Sequence, residues 1–173
     1  METLELKYLA PYLPYNLKAI CTTNQICTIG DGYNHIYKGD IMQIGVDDYR
    51  LFQNETEYFK PILRILSDLA KEIEKDGKKF VPLIELAKLA SPKNTKIKLM
   101  NDHVSLGHDY TFHYDNKNLS FNCLRGFDGK KADANCFVFN QLLLFQKLFE
   151  WHFDVFGLIE KGLAVDINEL RNK

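Results

Sequence analysis

Cys136-Phe137-Val138-Phe139-Asn140-Gln141-Leu142-Leu143-Leu144-Phe145-Gln146-Lys147-Leu148-Phe149-Glu150-Trp151-His152-Phe153-Asp154-Val155-Phe156-Gly157-Leu158-Ile159 is the most apolar run of the chain. Val138, Leu142, Phe145, Phe149, Phe153 and Phe156 recur at helical spacing. Leu144, Leu148, Trp151, Val155 and Leu158 form a second stripe beside them. The two stripes cover most of a helix circumference and leave a polar seam through Asn140, Lys147, Asp154 and Lys161. The spacing predicts one long, mostly buried C-terminal helix, set in the core or at a subunit interface. Gly162 is its expected stop, and Leu163 to Ile167 reads as a short extended tail.

Working outward, residues 93–135 change character. Lys96 to Met100 alternates polar and apolar, as do Thr111 to Tyr114 and Leu119 to Cys123. Asp115-Asn116-Lys117-Asn118 between the latter two predicts a hairpin turn. Gly126 to Asn135 reads as a loop. The 93–135 region is therefore a candidate hairpin insertion in one α+β domain spanning 1–173. Upstream, Ile62, Ile65, Leu66, Leu69 and Ile73 recur at three and four residues, and Pro61 suits a first helical turn. They predict a second amphipathic helix that stops at Gly77. A shorter helix is expected from Leu83 to Leu89, before Pro92. In the first third, Pro11 and Pro14 restrict helix to short turns. Leu17 to Thr23, Ile26 to Ile29, Ile41 to Val46 and Tyr49 to Phe52 predict a small antiparallel β-meander packed on the two helices.

The 173 residues carry 46% apolar and 26% charged side chains, with a formal net charge of −1. That balance supports a real core and argues against a generic nucleic-acid coat, which needs a net basic field. A secretory leader is not expected, because Pro11 and Pro14 interrupt the early apolar residues. Nor is a transmembrane helix, since no run of about 18 apolar residues is unbroken. The four cysteines, Cys21, Cys27, Cys123 and Cys136, are expected as reduced structural thiols in a cytosol. Five residues separate Cys21 from Cys27, too many for a zinc knuckle.

The remaining polar groups offer few constellations that suggest chemistry. His103, His108 and His113 are spaced by five, which aligns only the outer two on a strand. Trp151-His152-Phe153-Asp154 suggests an acid–base pair, yet helical neighbours point about 100° apart. Ser105, His108 and Asp109 are close in sequence, which is no sign of a triad. Asp47-Asp48 and the Asp128/Asp133 loop read as divalent-ion ligands or as solvated turn carboxylates. The chain lacks a nucleophile elbow, a phosphate-cradling glycine loop and a dinucleotide fingerprint. No enzyme, cofactor or metal is expected.

Two features suit partners. Tyr33, Tyr37 and Tyr49 belong to a tyrosine-rich first third, either as anchors for a protein partner or as ordinary sheet residues. Lysines outnumber acidic residues in the middle of the chain. Lys78, Lys79, Lys93, Lys96 and Lys98 form either a solvated face or a basic patch able to meet nucleic acid or an acidic protein.

Three segments carry a resemblance. They are Leu4-Glu5-Leu6-Lys7-Tyr8-Leu9-Ala10-Pro11-Tyr12-Leu13-Pro14-Tyr15, Glu150-Trp151-His152-Phe153-Asp154-Val155-Phe156-Gly157-Leu158-Ile159-Glu160-Lys161-Gly162-Leu163-Ala164, and Lys60-Pro61-Ile62-Leu63-Arg64 with Ser67-Asp68-Leu69. In that order the chain resembles a family of small uncharacterised proteins carried by phages and prophages of Bacteroidetes, over less than half its length. The resemblance transfers no functional residue. It implies a phage-encoded, non-enzymatic protein-binding factor in the cytoplasm of a bacterial host. The expected partner is a host protein, with a nucleic-acid-guided defence nuclease of the CRISPR kind as its sharpest form. The alternative is an accessory nucleic-acid-binding protein using the central lysines, and self-association through the apolar final helix is a further option.

Overall fold

The computed structural model describes residues 4–23, 27–29, 34–36, 38–45, 48, 59–107, 109–125, 134–136 and 138–171. They divide into two compact units, Met1–Ile65 with Phe149–Lys173, and Leu66–Leu148. Strands and short helices occur in both, so the class is α+β.

In the first unit, α1 (Leu6–Leu9) and a 3₁₀ turn (Leu13–Tyr15) precede β1 (Lys18–Cys21). Pro11 and Pro14 break this segment into single turns, as the sequence predicts. A hairpin of β2 (Cys27–Ile29) and β3 (Asn34–Ile36) leads to β4 (Ile41–Gln43). β1 pairs antiparallel with β4 on one side and with β5 (Phe59–Leu63) on the other. Near the C-terminus β13 (Val165–Asp166) joins parallel to β5, giving the order β13-β5-β1-β4. This is a mixed sheet rather than a simple meander. The predicted strand at Tyr49 to Phe52 lies outside the described residues.

The helix expected from Pro61 is a strand. Phe59, Pro61, Ile62 and Leu63 are all buried, because β5 lies between β1 and β13 and needs apolar side chains on both faces. A short continuous apolar run satisfies that need and imitates helical spacing. β13 pairs with Ile62 and Leu63 and begins beyond Pro61, a residue with no N–H to give a ladder.

The long C-terminal helix is also overturned. Its helical part, here α3, runs from Gln141 to Glu150. His152 then takes a left-handed φ of 59°, and the backbone leaves the helix to pair with the end of β5. Arg64 N–H donates to the His152 carbonyl and Asp154 N–H donates to the Arg64 carbonyl, both at 2.8 Å. Gly157 and Gly162, at φ 65° and 70°, carry the following turns toward β13. The apolar residues after Glu150 thus fill a core without continuing a helix.

That core joins Leu4, Leu9, Tyr12, Leu17, Ala19, Phe59 and Leu63 to Leu158 and Ala164. Tyr12 is completely buried. Its ring meets Phe149 edge-on at 5.0 Å and Phe156 at 6.2 Å. Its hydroxyl donates to the Phe153 carbonyl at 2.8 Å and accepts from Val155 N–H at 3.2 Å. Each aromatic buried in this way contributes about 1.5–3 kcal/mol relative to exposure.

The second unit opens with a 3₁₀ turn (Leu66–Ala70) and a hairpin of β6 (Ile73–Lys75) and β7 (Lys78–Phe80). Asp76 and Gly77 both have positive φ, 52° and 74°, the backbone of a two-residue type I′ turn. Asp-Gly is the strongest short hairpin signal, and it outweighs the helical stop read from Gly77. α2 (Pro82–Ala90) follows, with proline in its first turn. This confirms the helix predicted over Leu83 to Leu89.

β8 (Ile97–Leu99), β9 (Val104–Leu106), β10 (Tyr110–Asp115), β11 (Ser120–Arg125) and β12 (Ala134–Cys136) form an antiparallel meander in sequential order. The β10–β11 hairpin turns at the predicted place. There Asp115 accepts from Lys117 N–H at 2.9 Å and Asn118 N–H at 3.2 Å. Alternation puts Val104, Leu106, Phe112 and Phe121 on one fully buried face. α2 packs on that face beside β8 and β9, and Phe145 of α3 meets Phe121 at 5.6 Å. Gln141 stands in for a missing strand. Its side-chain amide accepts from Phe121 N–H at 2.9 Å and donates to the Phe121 carbonyl at 2.6 Å. β12 pairs with Cys123 to Arg125 and stops short of Phe121. The residues 93–135 thus lie within this unit.

Two buried groups yield measurable consequences. The Asp154 carboxylate, 5% exposed, accepts from Leu158 and Ile159 N–H, each at 2.8 Å. Burial pushes its pKa above the ordinary range, against the lowering effect of those two bonds. Above the unfolded value of about 3.9 the unfolded chain has released a proton that folded Asp154 retains, so this group's contribution falls as pH rises toward the raised value. Asp154→Asn keeps one acceptor for two donors and should cost about 1–3 kcal/mol in urea melts, while abolishing that segment of the pH profile. An Asn variant of unchanged stability would contradict the capping role.

The Tyr114 hydroxyl is buried with no hydrogen-bond partner among the described residues. Desolvation first, and Asp115 second, push its pKa up to about 12. The phenol therefore costs stability as pH rises from about 10 toward 12, where the unfolded chain ionises first. Tyr114→Phe should leave stability unchanged or raise it by up to about 1 kcal/mol at neutral pH. It should also remove one late-titrating tyrosinate from the absorbance titration at alkaline pH. A loss above about 1 kcal/mol would show a missing partner.

Candidate partner-binding surface

The sheet of the second unit has one apolar face and one polar face, and the predicted lysines are spread over its edge strand, the β6–β7 hairpin and the turn after α2. β7 carries Lys78 and Lys79, both exposed, with Lys78 opposite Lys75 and Lys79 opposite Glu74. Lys93 is exposed in the turn after α2. Lys96 and Lys98 are exposed two residues apart along β8, so they share its polar face, and Lys98 stands opposite Ser105. Two other central lysines are already paired: Lys71 meets buried Asp68 at 2.8 Å and Lys88 meets Glu85 at 2.6 Å. Tyr33, Tyr37 and Tyr49 lie outside the described residues.

A groove of about 730 Å³ opens beside Lys96, within the range of small-ligand sites. Pro92, Leu106 and Tyr110 give it apolar walls, and Lys96, Asp109 and Cys123 supply its reactive groups. A smaller cavity of about 350 Å³ lies by Leu69, Leu83, Asp102 and Tyr114.

An apolar surface is the feature that sequence reasoning misplaced. Within α3, Leu144 and Leu148 are fully buried, one turn apart. Phe139, just before the helix, is 96% exposed, Leu142 74% and Leu143 40%. Leu142 and Leu143 lie in the first turn of α3, and Phe139 precedes Gln141, where the helix begins, by two residues. Of the two stripes predicted to be core, Leu142 faces solvent, while Phe139 and Leu143 belong to neither stripe.

The polar groups that suggested chemistry are occupied by the fold. His152 Nε2 donates to the Tyr15 carbonyl at 2.9 Å, which fixes the proton on that nitrogen, and Asp154 caps the backbone beyond it. His103 Nδ1 lies 2.9 Å from Asp102, and this bond holds the Asp102 carboxyl below the usual carboxylate range. Asp48 accepts from Gly45 N–H at 2.8 Å. His108, Asp47, Asp128 and Asp133 lie outside the described residues. Among the described residues no three His, Cys, Asp or Glu side chains gather as metal ligands. Cys21 is buried, with its thiol 3.7 Å from the Thr23 carbonyl, and Cys123 is half-buried. No helix among the described residues is long and apolar enough to cross a membrane.

No protein family, curated protein or solved structure matches this chain.

Proposed function

We propose that the chain is a phage-encoded, non-enzymatic factor that binds a host protein, with a nucleic-acid-guided defence nuclease as the expected target. The observation that carries the reading is the exposed apolar group of Phe139, Leu142 and Leu143 at the start of α3. Large apolar side chains grouped in water mark interaction sites, and aromatic residues are enriched among binding anchors. The engagement of His152 and Asp154 in backbone hydrogen bonds supports the non-enzymatic part, because it explains the most suggestive polar pair by structure alone. The phage-like segments of the sequence supply the setting. The exposed lysines of β7 and β8 favour a second reading, an accessory nucleic-acid-binding protein.

A tagged pull-down from lysate of a Bacteroidetes host, divided into nuclease-treated and untreated halves, separates the two. The first reading predicts one host protein retained in both halves. Its capture should fall about tenfold or more in the Phe139→Ser/Leu142→Asp double variant, with an unchanged circular dichroism spectrum. Retention in the untreated half alone, falling steeply with salt, would replace it with the nucleic-acid reading. Retention unaffected by the double variant would remove the apolar group from the interface.

A further inference from the structure

The five-stranded sheet stops at β8, and its register decides which backbone groups face outward. Gly107 N–H donates to the Lys96 carbonyl at 2.8 Å, and Met100 N–H donates to the His103 carbonyl at 2.9 Å. Hydrogen-bonded positions alternate along an antiparallel pair. Lys96, Lys98 and Met100 therefore direct their N–H and carbonyl groups at β9, and Ile97 and Leu99 direct theirs away from it. No described strand lies beyond β8, so these outward groups have no ladder partner among the described residues.

The side chains alternate with the same period. Lys96 and Lys98 are exposed on the polar face, while Ile97 and Leu99 are half-buried at the margin of the apolar face. A strand added here would bond through Ile97 and Leu99. Lys96 and Lys98 would then occupy its non-hydrogen-bonded positions, where opposed Cα atoms approach to about 4.5 Å and side chains are closest. We infer that β8 accepts an extended, acidic segment of a partner protein as an additional strand, with carboxylates facing Lys96 and Lys98 and apolar residues beside Ile97 and Leu99.

A second copy of this chain fits worse. Antiparallel pairing of β8 with itself, centred on Lys98, sets two Lys98 side chains against each other. Centred on Ile97, it sets Lys96 against Lys98; centred on Leu99, it avoids that clash but needs Asn101 and Asp102, which bend away after Leu99, as strand. Like charges directly opposite are destabilising, and lysines on an edge strand ordinarily block self-pairing. An acidic strand turns the same lysines into attractive contacts. Peptides that extend a sheet in this way take affinity from main-chain bonds and specificity from alternate side chains.

This inference rests on the protein-binding reading, and its test does not need the host protein. The full chain is mixed with a synthetic octapeptide alternating Glu and Val, with its Lys–Val counterpart, or with an oligothymidylate, and amide exchange is followed by NMR. The Glu–Val peptide should protect the Ile97 and Leu99 amides at least about fivefold and leave the inward Lys98 amide unchanged. The Lys–Val peptide should protect neither, and Lys96→Glu/Lys98→Glu should reverse the preference. Equal protection by both peptides, no protection, or a response to oligothymidylate alone would overturn the proposal. Leu99→Pro removes an outward N–H without taking one from β9. If it still captures the host protein as the unaltered chain does, the edge is not the docking site, although the protein-binding reading stands. Protection by the acidic peptide with no host protein captured would leave the edge and remove that reading.

Discussion

The first unit depends on the fully buried hydroxyl of Tyr12, held between the Phe153 carbonyl and Val155 N–H. These backbone groups lie where the chain has left α3 and has not reached β13, in a tight turn in which Val155 N–H donates to the Phe153 carbonyl at 2.9 Å. The phenol adds a second hydrogen bond to each of the two groups, worth about 0.5–1.5 kcal/mol apiece. Its ring meanwhile gathers Phe149 and Phe156. The segment is thereby presented to the end of β5, where Arg64 pairs with it through two backbone bonds. Residues more than a hundred positions apart in the sequence are tied together by these contacts.

The second unit solves a similar problem with a different side chain. β12 ends before it reaches Phe121, and the Gln141 amide supplies the donor and acceptor that another strand residue would give. Asn140, its neighbour, donates from its side chain to the Leu89 carbonyl near the end of α2, at 2.8 Å. The polar residues that introduce α3 therefore complete a helix end and a strand edge. On either side of them, Phe139, Leu142 and Leu143 are exposed, and this is the surface proposed to meet a partner.

Much of the second unit was legible in the sequence because its determinants are local. Alternation and the Asp115–Asn118 cluster locate the β10–β11 hairpin, and proline positions bound α2. Asp76-Gly77 was an equally local signal, overlooked because Ile62 through Ile73 imitates a helical stripe. The errors in the first unit have a non-local cause. A central strand needs apolar residues on both faces, so β5 shows no alternation, and the pairing of Arg64 with the 152–154 backbone overrides the helical pattern after Glu150. Of the predicted binding residues, Lys78, Lys79, Lys93, Lys96 and Lys98 are exposed, as charge alone suggests. That Lys96 and Lys98 share the polar face of an open edge follows from register, which depends on β9. The exposed Phe139 was beyond reach, because it belongs to neither periodic stripe and precedes the helix.

Tyr12, His152 and Asp154, the polar groups most open to a chemical reading, hold the fold through backbone hydrogen bonds, and the proposed binding surface lies on the second unit. A urea melt of Tyr12→Phe, which keeps the ring and removes the hydroxyl, tests this assignment most directly. It should lower stability by about 1–3 kcal/mol, through the loss of the two buried hydrogen bonds that the hydroxyl makes, and leave host-protein capture by the still-folded variant unchanged. Unaltered stability with capture abolished would contradict the account and move the function to Tyr12.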